Sequence, residues 1–288
     1  MASITIVKAG IYSTIQDEGR NGYAHIGVPQ SGAIDKKAMR LANTLLNNPS
    51  HTAVLEYTLI GPVIQFNTTS FFVLSGGTVH AQLEEQDINP YQVYKATAGQ
   101  LLKIGSIHNG SRGYLAISGG IRTAEYLGSR SFFYPVSPFE KLKAGDVLPI
   151  GDTTYNDTIG SRINAKQFTH ITNQETVAIE VYPAPEFKKL NATQRKKLES
   201  QTFTLSKYWN RMAIQLQEAI NNTIPSIPTG PVLPGIIQLT PAGTLIILMA
   251  DCQVTGGYPR IMQLSDSGME CISQLKQGDT IKFKLVGL

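Results

Sequence analysis

Short apolar runs that recur about every ten residues constrain the fold of this chain more than any other feature. Turn-forming pairs separate them, as at Gly61-Pro62, Gly76-Gly77 and Asn89-Pro90. The runs of the first half are Ile4 to Val7, Val63 to Phe66, Phe71 to Leu74, Val79 to Leu83, Val93 to Lys95 and Leu101 to Ile104. Short strands with frequent turns are typical of β-barrels and β-sandwiches. The sequence therefore predicts a mainly β fold.

A polar stretch divides the 288 residues into two predicted β lobes. Between Gly151 and Glu175 the strand-like alternation stops, which is typical of a connection between domains. We predict an N-terminal lobe at 1–155 and a C-terminal lobe at 176–288, either separate or intertwined.

Three segments have the spacing of short helices. Asp35 can cap a helix that ends near Leu46, before Asn47-Asn48-Pro49. Thr193 can cap a basic helix that contains Lys196. Met212 to Ile220 is the third predicted helix.

Composition narrows the classes of partner. A net charge of +4 is too small a surplus to indicate nucleic-acid binding. The apolar run Leu245 to Ala250 is far too short to span a membrane. The first ten residues alternate like a strand and do not resemble a signal peptide, and two cysteines cannot form a disulfide framework. We therefore expect a cytoplasmic protein that binds neither nucleic acid nor membranes.

Several kinds of reactive motif are missing from the sequence. The P-loop motif G-x-x-x-x-G-K-S/T does not occur. The turn from Gly105 to Ser111 has two of its glycines but lacks the lysine that would follow the second one. We expect no metal site, since no metal-ligand spacing joins the histidines, which are His25, His51, His80, His108 and His170. Cys252 has no base near it in sequence, so we expect an unreactive thiol.

The first dense polar cluster runs from Thr14 to Tyr23. It combines the amide of Gln16, the carboxylate of Asp17 and the guanidinium of Arg20 with two glycines. Glycines let the backbone approach a ligand closely, and an arginine beside an amide suits a carboxylate or phosphate. The alternative is a tight turn held by an Asp17–Arg20 pair.

The second polar cluster, Asp251 to Arg260, directly follows the apolar strand Leu245 to Met249. It carries Gln253, Tyr258 and Arg260 around Gly256-Gly257. Such a turn at a strand end is either part of a site or an ordinary turn. From these residues alone the chain is a two-lobed β protein whose reaction stays open.

Two long motifs are more specific. The run Thr14 to Tyr23 fits T-x-Q-D-x-G-R-x-G-Y, and Gln253 to Pro259 fits Q-x-T-G-G-Y-P. With GYLAISGG, LGSRS and KLKAGDVLPI, these blocks resemble the allophanate hydrolase subunit 2 family in order and over nearly the whole chain. The resemblance implies a cyclophilin-like β-barrel architecture, corresponding to subdomains A and B of a carboxyltransferase domain.

The resemblance also implies a function. Members include the C component of bacterial 5-oxoprolinase, an enzyme that opens 5-oxoproline to L-glutamate with ATP and carries no covalently attached cofactor. We therefore expect ATP, with Mg²⁺, in a hetero-oligomer with a subunit-B-like (KipI-like) protein and an A component of the LamB/YcsF type. Other members are the carboxyltransferase part of urea carboxylase, which faces carboxybiotin, and KipA, a non-enzymatic regulator that binds a kinase inhibitor. These two remain alternatives.

Roles follow from the chemistry of lactam opening. Phosphorylation of the amide oxygen would make the ring carbon electrophilic, which requires cationic and backbone donors around phosphate and carboxylate. We expect Asp17 to act as a base or in positioning, and we expect contacts to these anions from Gln16, Arg20 and Arg260. Gln253 and Tyr258 are expected to orient the ligand.

Two segments depart from the family pattern. Relatives usually carry R-x-G-x-R-L-x-G, whereas 210–218 keeps Arg211 and Leu216 but has Gln215 in place of the second arginine. The segment 132–141 is shorter than the usual glycine-rich loop and contains no glycine. Anion binding at these segments is therefore in doubt, and a binding role without catalysis stays open.

Overall fold

The computed structural model describes residues 2–153, 155 and 176–287. The chain divides into two compact units, Met1–Arg20 with Ser31–Ile171 and Asn21–Gln30 with Thr172–Leu288. The short segment Asn21–Gln30 thus groups with the second unit, although in sequence it lies inside the first predicted lobe. Most of the predicted connection between Gly151 and Glu175 lies outside the described residues.

The first unit is built on a nine-stranded sheet. Its strands are Ser3–Lys8 (β1), Tyr12–Gln16 (β2), Val54–Thr58 (β3), Val63–Phe66 (β4), Ser70–Leu83 (β5), Gln86–Ile88 (β6), Tyr94–Ala96 (β7), Leu101–Ile117 (β8) and Val147–Pro149 (β9). The main path runs β2-β3-β8-β4-β1-β9, and β5 pairs with β6, β7 and β8. The long strand β8 therefore organises the sheet, since it pairs with β3, β4 and β5.

Alternation explains why these segments form strands. In β1, Ile4 and Ile6 are fully buried, while Ser3 and Thr5 are only partly buried. Successive side chains of a strand point to opposite faces, so this pattern gives the sheet one apolar face. That face contributes to a continuous core with residues such as Phe66.

The helix predicted after Asp35 is confirmed as Lys36–Leu45 (α1). The Asp35 carboxylate accepts a hydrogen bond from the Ala38 N–H at 2.9 Å, as an N-cap should. The helix buries Met39, Ala42 and Leu45 in a second apolar cluster of the same unit.

The second unit contains a closed barrel of seven strands. The strands of this unit are Val177–Pro183 (β10), Phe203–Trp209 (β11), Ala213–Leu216 (β12), Gly230–Pro231 (β13), Ile236–Leu239 (β14), Leu245–Leu248 (β15), Thr255–Gly256 (β16), Arg260–Leu264 (β17) and Thr280–Leu285 (β18). The barrel order is β10-β17-β14-β15-β12-β11-β18, and β13 and β16 form a separate two-stranded ribbon. The parallel pairing of β10 with β18 closes the barrel.

The prediction of a mainly β fold with a few short helices is confirmed. The second unit has helices at Ala192–Ser200 (α2) and Asp266–Gln274 (α3). Short 3₁₀ helices lie at Ala24–Ile26 and Phe187–Lys189. Across the described residues, none of the helices combines the length and apolarity needed to cross a membrane.

Two helix predictions are wrong in detail. The segment Met212 to Ile220 contains strand β12, in which Ile214 and Leu216 are buried and Gln215 is only partly buried. Four residues of apolar alternation are compatible with either a strand or one turn of a helix, so the sequence leaves both open. The hydrogen bonds to β15 make the segment a strand.

The cap of α2 is Asn191, two residues before the predicted Thr193. The Asn191 side chain accepts from the Gln194 N–H at 2.9 Å, and the Gln194 side chain accepts from the Asn191 N–H at 2.8 Å. These reciprocal bonds form a capping box, for which Thr193 lies too far along the helix.

We expect Asn191→Ala to lower the free energy of unfolding by about 1 kcal/mol, because it removes the acceptor for an N–H at the helix start. Thr193→Ala is the matched control and should change it by less than about 0.5 kcal/mol. Urea unfolding followed by fluorescence of Trp209, the single tryptophan, reports on this unit. Equal losses in the two variants would show that Asn191 does not cap the helix.

Candidate functional site

The Asp17 carboxylate joins two distant parts of the first unit. One residue after the end of β2, its Oδ1 accepts from the hydroxyls of Ser129 and Ser131, both at 2.6 Å, and from the Gly19 N–H at 2.8 Å. Its Oδ2 accepts from the Arg130 N–H at 2.7 Å. Both oxygens are thus engaged, and the residue is only 8% exposed. These bonds stabilise the carboxylate anion and hold the segment 129–131 against the end of β2.

Gln16 and Arg20, the other predicted site residues of this unit, are buried beside the same segment. The Gln16 amide donates to Thr14 Oγ1 at 3.0 Å and to the Phe132 carbonyl at 3.4 Å. Arg20, which is 2% exposed, donates to the Ser131 carbonyl oxygen. The structure therefore brings Gln16, Asp17 and Arg20 together, and their contact with a ligand stays a prediction.

A cavity of about 210 Å³ opens beside Asp17, entirely within the first unit. Its lining residues are Asp17, Glu18, Gly19, Pro49, His51, Thr52, Ala53, Ile121, Arg122, Glu125, Gly128 and Arg130. The volume lies below the roughly 300–1,000 Å³ of pockets that hold drug-sized ligands, so the cavity suits a small metabolite.

The acidic side chains of the cavity already have partners. Glu18 accepts two hydrogen bonds from the Arg40 guanidinium, at 2.6 and 2.8 Å, and lies 3.8 Å from Lys36 Nζ. Glu125 pairs with Arg130 at 2.9 Å. The basic partners balance the charges of Glu18 and Glu125, and hydrogen bonds satisfy the carboxylate oxygens of Asp17.

Arg260 of the second unit forms a two-pronged ion pair with Glu186. Its Nε and Nη2 donate to the two carboxylate oxygens at 3.0 and 3.2 Å, and Nη1 donates to the Pro231 carbonyl at 3.1 Å. Burial alone would raise the pKa of Glu186, but the hydrogen bonds from Arg260 outweigh it and hold that pKa below its ordinary value. The Arg260 guanidinium therefore already binds acceptors of its own unit, and its contact with a ligand stays a prediction.

The other predicted residues of this unit differ in exposure. Gln253 donates to the buried Gln238 carboxamide at 3.4 Å, and Tyr258 is 40% exposed. A Cβ on Gly256 would lie only 2.6 Å from Gln238 Nε2, so the glycine makes room for that amide. The orienting roles of Gln253 and Tyr258 stay predictions.

Cys252 and Arg211 have structural surroundings. Burial raises the pKa of the Cys252 thiol to about 12, and Asp251 adds to the effect, so the thiol stays protonated at neutral pH. Arg211 binds Asp251 through two hydrogen bonds, at 2.7 and 3.0 Å. The one arginine kept in the altered segment 210–218 thus supports the start of the Asp251 to Arg260 turn. Within the part of the chain that the structure describes, no cluster of three acidic, histidine or cysteine side chains could hold a metal ion.

Residues 26–285 match the family described as "Carboxyltransferase domain, subdomain A and B". The chain belongs to this family. The match extends over parts of both units and includes all the strands of the barrel, whereas strands β1 and β2 of the nine-stranded sheet precede it.

Three relatives illustrate the range of this carboxyltransferase family. The C component of the 5-oxoprolinase of Escherichia coli (strain K12) is 32% identical over 286 residues, which are 97% of this chain and 90% of the relative. The solved structure of TTHA0988 has a TM-score of 0.87 and 26% identity, and it covers 99% of this chain. The urea amidolyase of K. lactis has a TM-score of 0.89, also with 26% identity and 99% coverage. The chain spans 56% of the TTHA0988 chain and 19% of the urea amidolyase chain.

Sequence reasoning missed the basic side chains of the cavity. Arg122 follows the Gly119-Gly120 turn at the end of β8, and His51 follows Pro49 after helix α1. The sequence indicates only an ordinary histidine at position 51, and Arg122 stands outside every quoted motif. The signal that could have found Arg122 was its position two residues after the Gly119-Gly120 pair at a strand end, where polar side chains commonly line sites.

We expect Asp17→Asn to lower the free energy of unfolding by about 1–3 kcal/mol, because the carboxamide NH₂ must face at least one of the present donors. The exposed Asp152→Asn is the control and should cost less than about 0.5 kcal/mol. Hydrogen–deuterium exchange of the peptide that contains 129–131 should also be faster in Asp17→Asn alone. Unchanged stability and exchange would contradict the anchoring role of the carboxylate.

The Glu186–Arg260 pair predicts a pH dependence. A carboxylate whose folded pKa is lowered adds stability above its unfolded pKa, about 4.3, and that stability is lost as the pH falls through the folded pKa. At pH 7 the protein should therefore exceed Glu186→Gln in stability by about 1 kcal/mol. Trp209 fluorescence during urea unfolding at a series of pH values measures the difference. If the difference in unfolding free energy between the two proteins stays the same at the lowest pH measured, Glu186 does not contribute this pH-dependent stability.

Proposed function

We propose that the chain is one subunit of an ATP-dependent 5-oxoprolinase, which opens 5-oxoproline to L-glutamate in complex with partner proteins. The observation that carries the proposal is the match to the C component of the E. coli 5-oxoprolinase, which extends over 97% of this chain and 90% of the relative. The name of that relative implies further components. We infer a subunit-B-like protein and a LamB/YcsF-like A component as the partners of this chain.

The cavity beside Asp17 does not fit a nucleotide. Arg20 and Arg260, the predicted phosphate contacts, already donate to the Ser131 carbonyl and to Glu186. The cavity of about 210 Å³ is too small for a nucleoside triphosphate, and the sequence has no P-loop. We therefore assign ATP to the assembly, outside this cavity, and derive no catalytic step through it.

Asp17 is better suited to positioning than to proton transfer in this assembly. A general base needs a lone pair aimed at the proton that it removes, whereas four donors already surround the two Asp17 oxygens. The proposal gives Asp17 the task of holding 129–131, and with it Arg130, as one wall of the cavity.

A second candidate function is that of a carboxyltransferase component that works with carboxybiotin on a partner. The K. lactis urea amidolyase, with a TM-score of 0.89 over 99% of this chain, favours it. This alternative predicts a biotinylated partner and an anion pocket with no nucleotide requirement. The E. coli relative supports the first function more strongly, because the match extends over 90% of that relative, whereas this chain spans only 19% of the urea amidolyase chain.

The test is the release of glutamate by this chain reconstituted with its A-type and B-type partners, in the presence of ATP, Mg²⁺ and 5-oxoproline. Release should depend on ATP and should disappear when this chain is omitted. Arg20→Ala and Arg260→Ala should each lower the rate at least about tenfold, because each leaves a buried or paired group without its partner near the predicted site. Size-exclusion chromatography checks that each variant still assembles.

A verified, assembled complex that releases no glutamate would remove the 5-oxoprolinase proposal. Bicarbonate-dependent carboxylation of urea with a biotinylated partner would then support the carboxyltransferase alternative.

A further inference from the structure

Arg122 differs from every other charged residue of the cavity. Asp17, Glu18, Glu125 and Arg130 each have a hydrogen bond or an ion pair within the first unit. Among the described residues, the guanidinium of Arg122 has neither. A guanidinium that lines a cavity without an acceptor presents its planar array of N–H donors to whatever enters.

The backbone around Arg122 is fixed, although the side chain is exposed. The Arg122 N–H donates to the Pro149 carbonyl at 2.8 Å, and the preceding Ile121 N–H donates to the Ala53 carbonyl at 3.2 Å. A Cβ on Gly151 would lie 2.9 Å from Arg122 Nε, so the guanidinium packs closely over a position without a side chain. The cavity therefore has an arginine whose backbone is held at the ends of two strands.

The charge around the cavity favours a single negative charge. Among the described residues, the lining and its direct partners contain four basic groups, Lys36, Arg40, Arg122 and Arg130, and three carboxylates, Asp17, Glu18 and Glu125. One positive charge remains. A ligand with several negative charges would exceed this single positive charge, so a phosphate ester fits poorly.

We propose that this cavity binds a small monocarboxylate, with Arg122 as the cation that anchors its carboxylate and the imidazole of His51 as a second polar contact. The planar guanidinium matches the two oxygens of a carboxylate. The volume admits a compact ligand such as 5-oxoproline. The proposal rests on the proposed function for this choice of compound, and it moves the anion contact from Arg20 and Arg260 to a residue outside the predicted site.

The experiment is calorimetric titration of the full chain, alone and in the assembly, with 5-oxoproline. The matched probe is 2-pyrrolidinone, which has the same lactam ring without the carboxylate, and inorganic phosphate is the third probe. We expect saturable binding of 5-oxoproline. Binding of 2-pyrrolidinone should be at least about tenfold weaker because it lacks the carboxylate, and binding of phosphate should be weaker by a similar factor because it carries more than one negative charge.

Variants test the anchor. Arg122→Gln should weaken 5-oxoproline binding at least about tenfold, and Arg122→Lys should weaken it less, because the charge stays while the fork is lost. Lys143→Gln removes the same charge from an exposed position outside the cavity and should bind like the parent protein. Urea unfolding should be equal in all four proteins, since among the described residues no side-chain bond of Arg122 holds the fold.

The outcomes separate this proposal from the proposed function. Absence of carboxylate binding, equal binding by Arg122→Gln, or tighter binding of phosphate would overturn the cavity's assignment, even if the assembly releases glutamate. If binding depends on Arg122 but the assembly releases no glutamate, the carboxylate site would be supported and the proposed 5-oxoprolinase function would be contradicted.

Discussion

The buried carboxylate of Asp17 is the interaction on which the candidate site depends. It accepts hydrogen bonds from residues more than a hundred positions away in sequence, so it fixes a contact that neither local segment could make alone. Desolvation of a carboxylate is costly, and its four donors compensate for that cost. Because the same bonds place Arg130 at the wall of the cavity, the shape of the site follows from this one anion.

Guanidinium groups in this protein serve two different ends. Arg211 and Arg260 each bind a carboxylate of their own unit through two nitrogens, at Asp251 and Glu186. Such pairs hold turns in place and leave fewer donors for a ligand. Arg122 also lies near a turn but lines a cavity, and among the described residues no carboxylate pairs with it. Residue type alone therefore does not distinguish an arginine that holds a turn from one that lines a cavity.

The mainly β fold could be predicted because the alternation of Ile4 and Ile6 with polar neighbours is a local signal of period two. The N-cap at Asp35 could be predicted for the same reason, because the cap and the helix that it starts are adjacent in sequence. Strand β12 could not be predicted, since its conformation depends on pairing with β15, which is distant in sequence. The T-x-Q-D-x-G-R block contains Asp17, which lines the cavity, whereas Arg122 belongs to none of the quoted motifs and is found only through the cavity that it lines.

The parallel pairing of β10 with β18 has a consequence for biosynthesis. Val177 lies opposite Ile281, so the barrel cannot close until about a hundred further residues have left the ribosome. Until then β10 and β11 each expose an unpaired edge to which another strand can add. The nascent chain is therefore most vulnerable to aggregation between the emergence of β10 and that of β18, and a chaperone that covers strand edges would act in that interval.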